Sequence, residues 1–237
     1  MPLCRLLEAQ GASTLRLPAI EIKPCADRHA LAALAGALDT FEFIVFTSAN
    51  AVRFGSALLE QRRDLTLAAI GPATARALNE SGYQVAVVGG FDSEALLAHP
   101  SLKNLSARRI LLIKGANGRQ LLEQQLTRRG AHVFGVDVYQ RAPATPSAAA
   151  LAVVQAEFAA GRLQVITATS LEIGSHLLDM VPGELRAQFE TARWLVPGER
   201  IAAGLRARGL AAPMLTAASA EDQDLVAALL RWRSSES

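Results

Sequence analysis

The chain has 237 residues, 51% of them hydrophobic and 19% charged, and is long enough for one large or two modest α/β domains. A net charge of +2 argues against a polyanion such as nucleic acid as partner, and no apolar run approaches the roughly 18 residues that span a bilayer. Cys4, Cys25 and the scattered histidines lack metal-ligand spacing, so we predict buried thiols and no metal site. The N-terminus has no secretory-signal pattern, which favours a cytoplasmic protein.

Short apolar segments rich in β-branched residues predict strands along the whole chain. In order they are 41–47, 65–71, 83–89, 108–114, 131–139, 163–169, 193–197 and 212–216. Amphipathic segments of about ten residues predict helices between them, for example at 73–80, 119–129, 148–160, 199–208 and 222–232. This alternation predicts an α/β fold with doubly wound parallel sheets, and continuous apolar runs such as FIVF predict strands covered on both faces.

Three segments of the first half of the chain recur in the same order in the second half. The pairs are IVFTSANAVRF (44–54) with VITATSLEIGS (165–175), AAIGPATARALNESGY (68–83) with WLVPGERIAAGLRARGL (194–210), and FDSEALLAHP (91–100) with EDQDLVAALL (221–230). Counted between first residues, the offsets are 121, 126 and 130, so they change only by loop-sized steps. Such a repeat predicts two copies of one α/β unit.

The first 24 residues extend this repeat. Residues 3–23 resemble 121–141 through a shared helix–glycine–strand pattern, which places Gly11 opposite Gly130. In the later copy, a strand and a glycine loop at 108–120 precede the helix. The counterpart of that strand would lie before Met1, so we expect the chain to lack one strand of the earlier copy.

Two similar segments, 17–24 and 136–143, each end in proline before the composition changes. We predict that they pair as a two-stranded β-ladder linking the domains. Residues 24–138 would then form one continuous domain, and residues 1–17 together with 144–237 would form a second, discontinuous domain.

Polar and glycine residues follow the predicted strands, at the sheet edge where α/β proteins bind ligands. In the first half they are Thr47, Ser48, Asn50, Gly71, Thr74, Lys114, Gly115, Gly118 and Arg119. In the second half they are Thr169, Ser170, Gly198 and Arg200. Any single Ser or Thr is better explained as a helix N-cap, but their number predicts that N–H groups, hydroxyls and cations bind an anionic ligand.

Other chemistries find little support in the sequence. KGANGR (114–119) matches neither GxGxxG nor a P-loop, and no GxSxG elbow or His lies near Ser48 or Ser170. The acidic residues of DSEAL and EDQDL are predicted to cap helices rather than to act as acids. Tyr139 ends a strand next to the predicted ladder, where either a packing aromatic or a functional hydroxyl fits.

Four segments together resemble the uroporphyrinogen-III synthase family: FTSANAVRF, AIGPATARAL, ILLIKGANGRQLLEQQLTRRGAHVFGVDVYQR and LVPGERIAAGLRARG. The resemblance covers nearly the whole chain in the family's order. It implies two flavodoxin-like domains joined by a β-ladder, with the N-terminal strand belonging to the second domain. That topology agrees with the one predicted from the repeats.

The resemblance also implies a function. Members of the family are cofactor-free lyases of tetrapyrrole and haem biosynthesis, which cyclise hydroxymethylbilane with loss of water and invert its last pyrrole ring through a spiro intermediate. By the resemblance, Tyr139 matches a cleft tyrosine that assists the leaving hydroxyl, and Ser48, Thr74 and Ser170 match cleft hydroxyls. The substrate carries eight carboxylates, which Lys114, Arg119 or Arg200 would hold. A cytoplasmic monomer is expected.

The chain departs from the family pattern at two places. The family opens with a strand and a Thr-Arg-Pro loop, which this chain starts after, and Gly198, Glu199 and Arg200 stand where many members have Ser or Thr. Two alternatives are therefore kept. One is a non-catalytic two-domain binding protein for an anionic metabolite, derived from a truncated synthase. The other is a nucleotide-sugar glycosyltransferase, for which the chain is short and lacks an acidic ribose-binding position.

Overall fold

The structure is a computed structural model that describes residues 2–25, 28–60, 62, 64–90, 92–116, 118 and 120–236. The chain divides into two compact units. The continuous unit is Ile22–Ala142, and the discontinuous unit combines Met1–Glu21 with Pro143–Ser237.

The continuous unit is built on a six-stranded, mostly parallel sheet. The strands that form it are β1 (Ile20–Pro24), β2 (Phe43–Phe46), β3 (Leu67–Ala69), β4 (Val87–Val88), β5 (Arg109–Gly115) and β6 (His132–Pro143). Its helices are α2 (Arg28–Ala35), α3 (Ala49–Gly55), α4 (Pro72–Glu80), α5 (Ser93–Leu97) and α6 (Leu121–Arg128), with 3-10 turns at Leu38–Thr40, Ser56–Leu59 and Pro100–Leu102. The strand order is β1-β6-β5-β2-β3-β4, and the β2–β3, β3–β4, β2–β5 and β5–β6 pairs are all parallel.

The discontinuous unit contains a smaller, three-stranded parallel sheet. Its strands are β7 (Val165–Thr167), β8 (Arg193–Pro197) and β9 (Met214–Ala217), in that spatial order. Its helices are α1 (Pro2–Ala9), α7 (Ala148–Ala159), α8 (Leu171–Met180), α9 (Gly183–Thr191), α10 (Glu199–Ala207) and α11 (Asp222–Glu236). The α/β class predicted from the sequence is therefore confirmed, with one large and one small sheet.

The central strands of both sheets are buried on both faces, as the continuous apolar runs predict. In β2, Ile44 and Phe46 belong to one apolar cluster, and Phe43 and Val45 belong to the cluster on the other face. In β8, Trp194 and Leu195 likewise belong to different clusters. Side chains alternate between faces along a strand, so a strand covered by helices on both sides has no polar position.

Glycine-ended helices repeat between the two halves. Gly11, Gly82, Gly130 and Gly209 all have positive φ, between 81° and 87°. At each site the next residue donates its N–H to a carbonyl five residues back: Ala12 to Leu7, Tyr83 to Leu78, Ala131 to Leu126 and Leu210 to Leu205. This is a Schellman cap, which requires the left-handed conformation that glycine adopts without strain. The offset from Gly82 to Gly209 is 127, and that from Gly11 to Gly130 is 119.

Two details of the sequence prediction are corrected by the structure. The segment predicted as a strand at 83–89 forms a strand only at Val87–Val88, because Tyr83 closes the cap of α4 with its N–H. Cys25 is exposed rather than buried, and Cys4 is only partly buried.

Candidate active site

The carboxyl edge of the large sheet is where the predicted site residues of the continuous unit come together. The strand order reverses between β2 and β5, because the chain runs outward through β3 and β4 before it returns to β5 and β6. Such a reversal leaves a crevice outside the strand ends, where open α/β sheets bind their ligands. We call these residues the large-sheet rim: Thr47, Ser48 and Asn50 after β2, Lys114 and Gly115 at the end of β5, and Tyr139 of β6.

Ser48 begins α3 as its N-cap. Its backbone is extended, and its Oγ accepts the N–H of Ala51 at 3.0 Å. Thr47, one residue earlier, donates both its N–H and its hydroxyl to the carbonyl of Ile113, at 3.1 and 3.4 Å. Asn50 is half-buried in the first turn of the same helix. Strand β2 thus delivers a hydroxyl and a helix N-terminus, with its partial positive charge, to the rim.

Tyr139 reaches this rim through an irregularity in the β5–β6 pairing. Lys114 pairs with Asp137, but Gly115 pairs with Tyr139, so Val138 is an extra residue in β6. A β-bulge of this kind changes the direction of the side chain that follows it. The phenol oxygen of Tyr139 lies 3.0 Å from Ser48 Oγ, although the two residues are 91 positions apart in sequence.

The tyrosine ring is held from two further sides. A Cβ added at Gly115 would lie 2.5 Å from Cζ of Tyr139, so the ring occupies space that any other residue would fill. The ring of Phe54 stacks on it, with centroids 6.1 Å apart and an interplanar angle of 27°. The backbone also contributes, because Ala116 donates its N–H to the carbonyl of Tyr139 at 2.8 Å. Gly115 is therefore needed for close approach.

Lys114 does not present a free ammonium to the rim. Its Nζ donates to the Asp137 carboxylate at 2.8 Å, and its side chain is only 22% exposed. The same two charges act on the exposed Cys25: partial desolvation of its thiol raises its pKa first and Asp137 second, and Lys114 opposes the rise. Asp137 is a neighbour that the sequence prediction missed. Direct pairing of 114 with 137 follows from strand register, which the sequence did not reveal.

The remaining predicted residues of the continuous unit lie at two loops. Gly71 is the N-cap of α4 with φ 78° and ψ 157°, and Thr74, two residues into that helix after Pro72, is 3% exposed. Gly118 follows β5 and donates its N–H to the carbonyl of Gly115 at 3.3 Å. Arg119, the predicted carboxylate partner, lies outside the described residues.

The discontinuous unit carries an equivalent arrangement, which we call the small-sheet rim (Thr169, Ser170, Gly198 and Arg200). Ser170 is the N-cap of α8, and its Oγ accepts the N–H of Ile173 at 3.2 Å. Gly198 is the N-cap of α10 with φ 77° and ψ 163°, nearly the conformation of Gly71. Arg200 is exposed, whereas Glu199 pairs with Arg206.

The large-sheet rim therefore offers hydroxyl chemistry. It presents two hydrogen-bonded hydroxyls at a helix N-terminus, and among the described residues no imidazole or carboxylate forms a hydrogen bond with either of them. In the part of the chain that the structure describes, no group of three or more His, Cys, Asp or Glu side chains could hold a metal ion. Such a rim can donate hydrogen bonds to anionic groups and a proton to a leaving oxygen.

Comparison with known proteins identifies relatives across most of the chain. The family model for uroporphyrinogen-III synthase HemD matches residues 2–227. A uroporphyrinogen-III synthase from Escherichia coli K12 is 31% identical over 204 residues, which covers 83% of this chain and 82% of that protein. A uroporphyrinogen-III synthase from Salmonella typhimurium is 35% identical over 149 residues, covering 57% of this chain and 58% of that protein.

Solved structures show the same fold. A uroporphyrinogen-III synthetase from Helicobacter pylori superposes with a TM-score of 0.60 at 14% identity, covering 90% of this chain and 91% of that chain. A mutant uroporphyrinogen III synthase from Thermus thermophilus gives a TM-score of 0.52 at 21% identity, over 98% of this chain and 93% of that chain. At these identities the superpositions establish the fold.

Proposed function

Since this chain belongs to the uroporphyrinogen-III synthase family, we propose that it catalyses the family's reaction at the large-sheet rim. Hydroxymethylbilane is cyclised to uroporphyrinogen III, with inversion of the last pyrrole ring and loss of water. The protein is then a cofactor-free lyase. Its main task is to fold the linear substrate so that the inverted closure is the nearest one, because the uncatalysed closure occurs readily but gives the wrong isomer.

The observation that supports this proposal most is the 3.0 Å contact between Tyr139 and Ser48. Tyr139 donates its phenol proton to the hydroxyl that leaves the hydroxymethyl carbon, so that the C–O bond breaks and water departs. The carbon left by that hydroxyl bonds to the substituted carbon of the last pyrrole ring, which gives the spiro intermediate. The bond from that ring carbon to its original methylene bridge then breaks and re-forms at the unsubstituted carbon of the ring, which inverts the ring and releases the proton of that carbon. That proton returns to the phenolate, so the cycle ends with the tyrosine neutral. A general acid in such a position contributes a factor of roughly 10² or more.

The carboxylates of the substrate are better held by several separate hydrogen-bond donors than by a single basic patch. Helix N-termini at Ser48, Gly71, Ser170 and Gly198 present backbone N–H groups, which bind carboxylates together with neighbouring hydroxyls. Arg200 is exposed on the small-sheet rim and suits a bidentate contact. Lys114 is already paired with Asp137, so a substrate carboxylate there would share the ammonium with that residue.

We extend the proposal to the finer architecture that the family implies. The two units are flavodoxin-like domains, 24–138 and 1–17 with 144–237, and segments 17–24 and 136–143 form the β-ladder that joins them. The position of β1 beside β6 in the large sheet supports this assignment. Among the described residues no helix is both long and apolar enough to cross a membrane. We propose a cytoplasmic monomer.

The test is direct synthesis of uroporphyrinogen III. Purified protein is mixed with enzymatically generated hydroxymethylbilane, and the isomers are separated by chromatography after oxidation. We expect mainly isomer III from the wild type. Tyr139→Phe removes only the hydroxyl, so it should lower kcat about a hundredfold while binding of the product stays nearly unchanged. Wild-type protein that binds product but yields only isomer I would instead indicate a binding protein.

A further inference from the structure

Ser48 has a second role besides capping α3. Its Oγ accepts the Ala51 N–H, and the other partner found for it among the described residues is the Tyr139 oxygen. Either hydroxyl could donate in this contact, and the phenol oxygen is the acceptor found for the serine proton among the described residues. Building on the proposed function, we infer that Ser48 is a positioning residue that donates to Tyr139 and thereby leaves the tyrosine proton free for the leaving hydroxyl.

The surroundings of Tyr139 make this direction of the hydrogen bond consequential. Gly115 and Phe54 fix the plane of the ring, so the phenol oxygen has one location and its proton can only rotate about the C–O bond. If Tyr139 donated to Ser48, that proton would point away from a ligand. When Ser48 donates, the phenol proton is directed elsewhere and can reach the substrate.

The chain of hydrogen bonds also makes the phenol of Tyr139 a stronger donor. The Ala51 N–H, at the positive end of α3, polarises the serine hydroxyl, which in turn polarises the phenol. Once the proton has passed to the leaving hydroxyl, the Ser48 hydroxyl still donates to the phenolate oxygen. The new negative charge is thus stabilised at the moment it forms, and the same phenolate later takes up the proton released by ring closure.

The internal repeat separates this role from capping. Ser170 caps α8 with the same geometry as Ser48, at an offset of 122. The glycine caps Gly11 and Gly130, and the prolines Pro24 and Pro143, align at an offset of 119. This offset places Ile20 at the position that corresponds to Tyr139. A serine cap at this loop therefore does not require a phenol. The contact between Ser48 and Tyr139 is an additional feature of the continuous unit, to which we assign the reaction.

Kinetics of substitutions at Ser48 test the inference. Ser48→Ala should lower kcat about five- to tenfold, the effect of one lost hydrogen bond, whereas the loss of a substrate contact alone would raise KM and leave kcat unchanged. Ser48→Thr keeps a hydroxyl and should restore kcat to about the wild-type level. Ser147→Ala is the matched control, because Ser147 caps α7 in the same way, accepting the Ala150 N–H at 3.2 Å, and it is not among the residues assigned to either rim. Ser147→Ala should lose the stability that a serine cap gives a helix, as Ser48→Ala does, but it should keep the wild-type kcat.

A double-mutant cycle shows whether Ser48 acts through Tyr139. In the Tyr139→Phe background, Ser48→Ala should change kcat by no more than about twofold, since its partner is gone. An equal fold-loss in both backgrounds would overturn the inference and leave Ser48 as a helix cap, as would full activity of Ser48→Ala. These results require an active wild type. Wild-type protein that makes only isomer I would instead remove the synthase function itself.

Discussion

The loops that follow β2 and β7 are built alike but are equipped differently. Each contains a Thr-Ser pair whose serine caps the next helix. Among the described residues, Ser48 is the one of the two serines that contacts a phenol, and the residue that corresponds to Tyr139 in the other copy is Ile20. The same loop backbone thus recurs at two sheet edges, and side-chain differences place at one of them the tyrosine to which we assign proton donation.

The two rims also differ in charge. In the large-sheet rim, the ammonium of Lys114 is neutralised by Asp137. In the small-sheet rim, Arg200 is exposed at the start of α10. We infer that the first rim is suited to a reaction and the second to holding a carboxylate. A shared backbone does not imply shared chemistry.

The largest effect should come from the cores that the two copies have in common. Leu78 and Leu205 are fully buried at equivalent positions, each with a carbonyl that accepts the Schellman-cap N–H. Replacing either by Ala should cost about 2–5 kcal/mol in the free energy of unfolding, as measured by urea denaturation. Amide exchange should rise mainly in the unit that carries the change.

The exposed Leu230 of α11 provides the control, and Leu230→Ala should have little effect on urea unfolding. Uniform loss of protection across both units after Leu78→Ala would mean that they unfold as one. That outcome would contradict the description of the two copies as separate cooperative units.

A smaller effect, confined to activity, is expected at Gly115. A new Cβ there would lie 2.5 Å from the Tyr139 ring, so Gly115→Ala must displace the ring. A displacement of about 1 Å at a reacting group can cost roughly a hundredfold in turnover, and we expect a fall in kcat of that size. Gly183→Ala is the control, because the added Cβ there meets nothing within 4 Å. Normal kcat in Gly115→Ala would show that the position of Tyr139 does not matter.

The smallest effect should be the pH-dependent contribution of a surface ion pair. Arg162 forms two hydrogen bonds with Glu157, which lower the pKa of that carboxyl from its ordinary value of 4.5. The pair therefore stabilises the folded protein above about pH 4.5, and this contribution is lost as the pH falls through the lowered pKa. Arg162 is exposed and Glu157 is half-buried, so solvent screens the pair and the gain is slight.

Thermal denaturation across a pH series will measure this contribution. Arg162→Ala should lower Tm slightly at neutral pH, and the difference from wild type should vanish in acid. Arg162→Lys keeps the charge but loses the bidentate geometry, so its Tm at neutral pH should lie between those of the wild type and Arg162→Ala. A difference that grows as the pH drops would contradict the assigned direction of the Glu157 shift.

Features governed by neighbouring residues could be predicted well. Strand β8 has the predicted bounds, and α7 and α10 each differ from prediction by one residue. The strand predicted at 83–89 is mostly wrong, because Tyr83 completes the cap of α4 with its N–H and the strand forms only at Val87–Val88. Apolar composition alone does not distinguish a strand from the segment that packs beside a helix end.

The sequence by itself determined the α/β class, the duplication and the positions of the serine and glycine caps. These depend on contacts within about five residues and on glycine's access to positive φ, so they are visible in local patterns. Only the tertiary structure decided that Lys114 would pair with Asp137, and that Tyr139 would meet Ser48 from 91 residues away. Both contacts depend on the register of β5 against β6 and on the bulge at Val138. Register is set by packing of whole strands, which no short segment encodes.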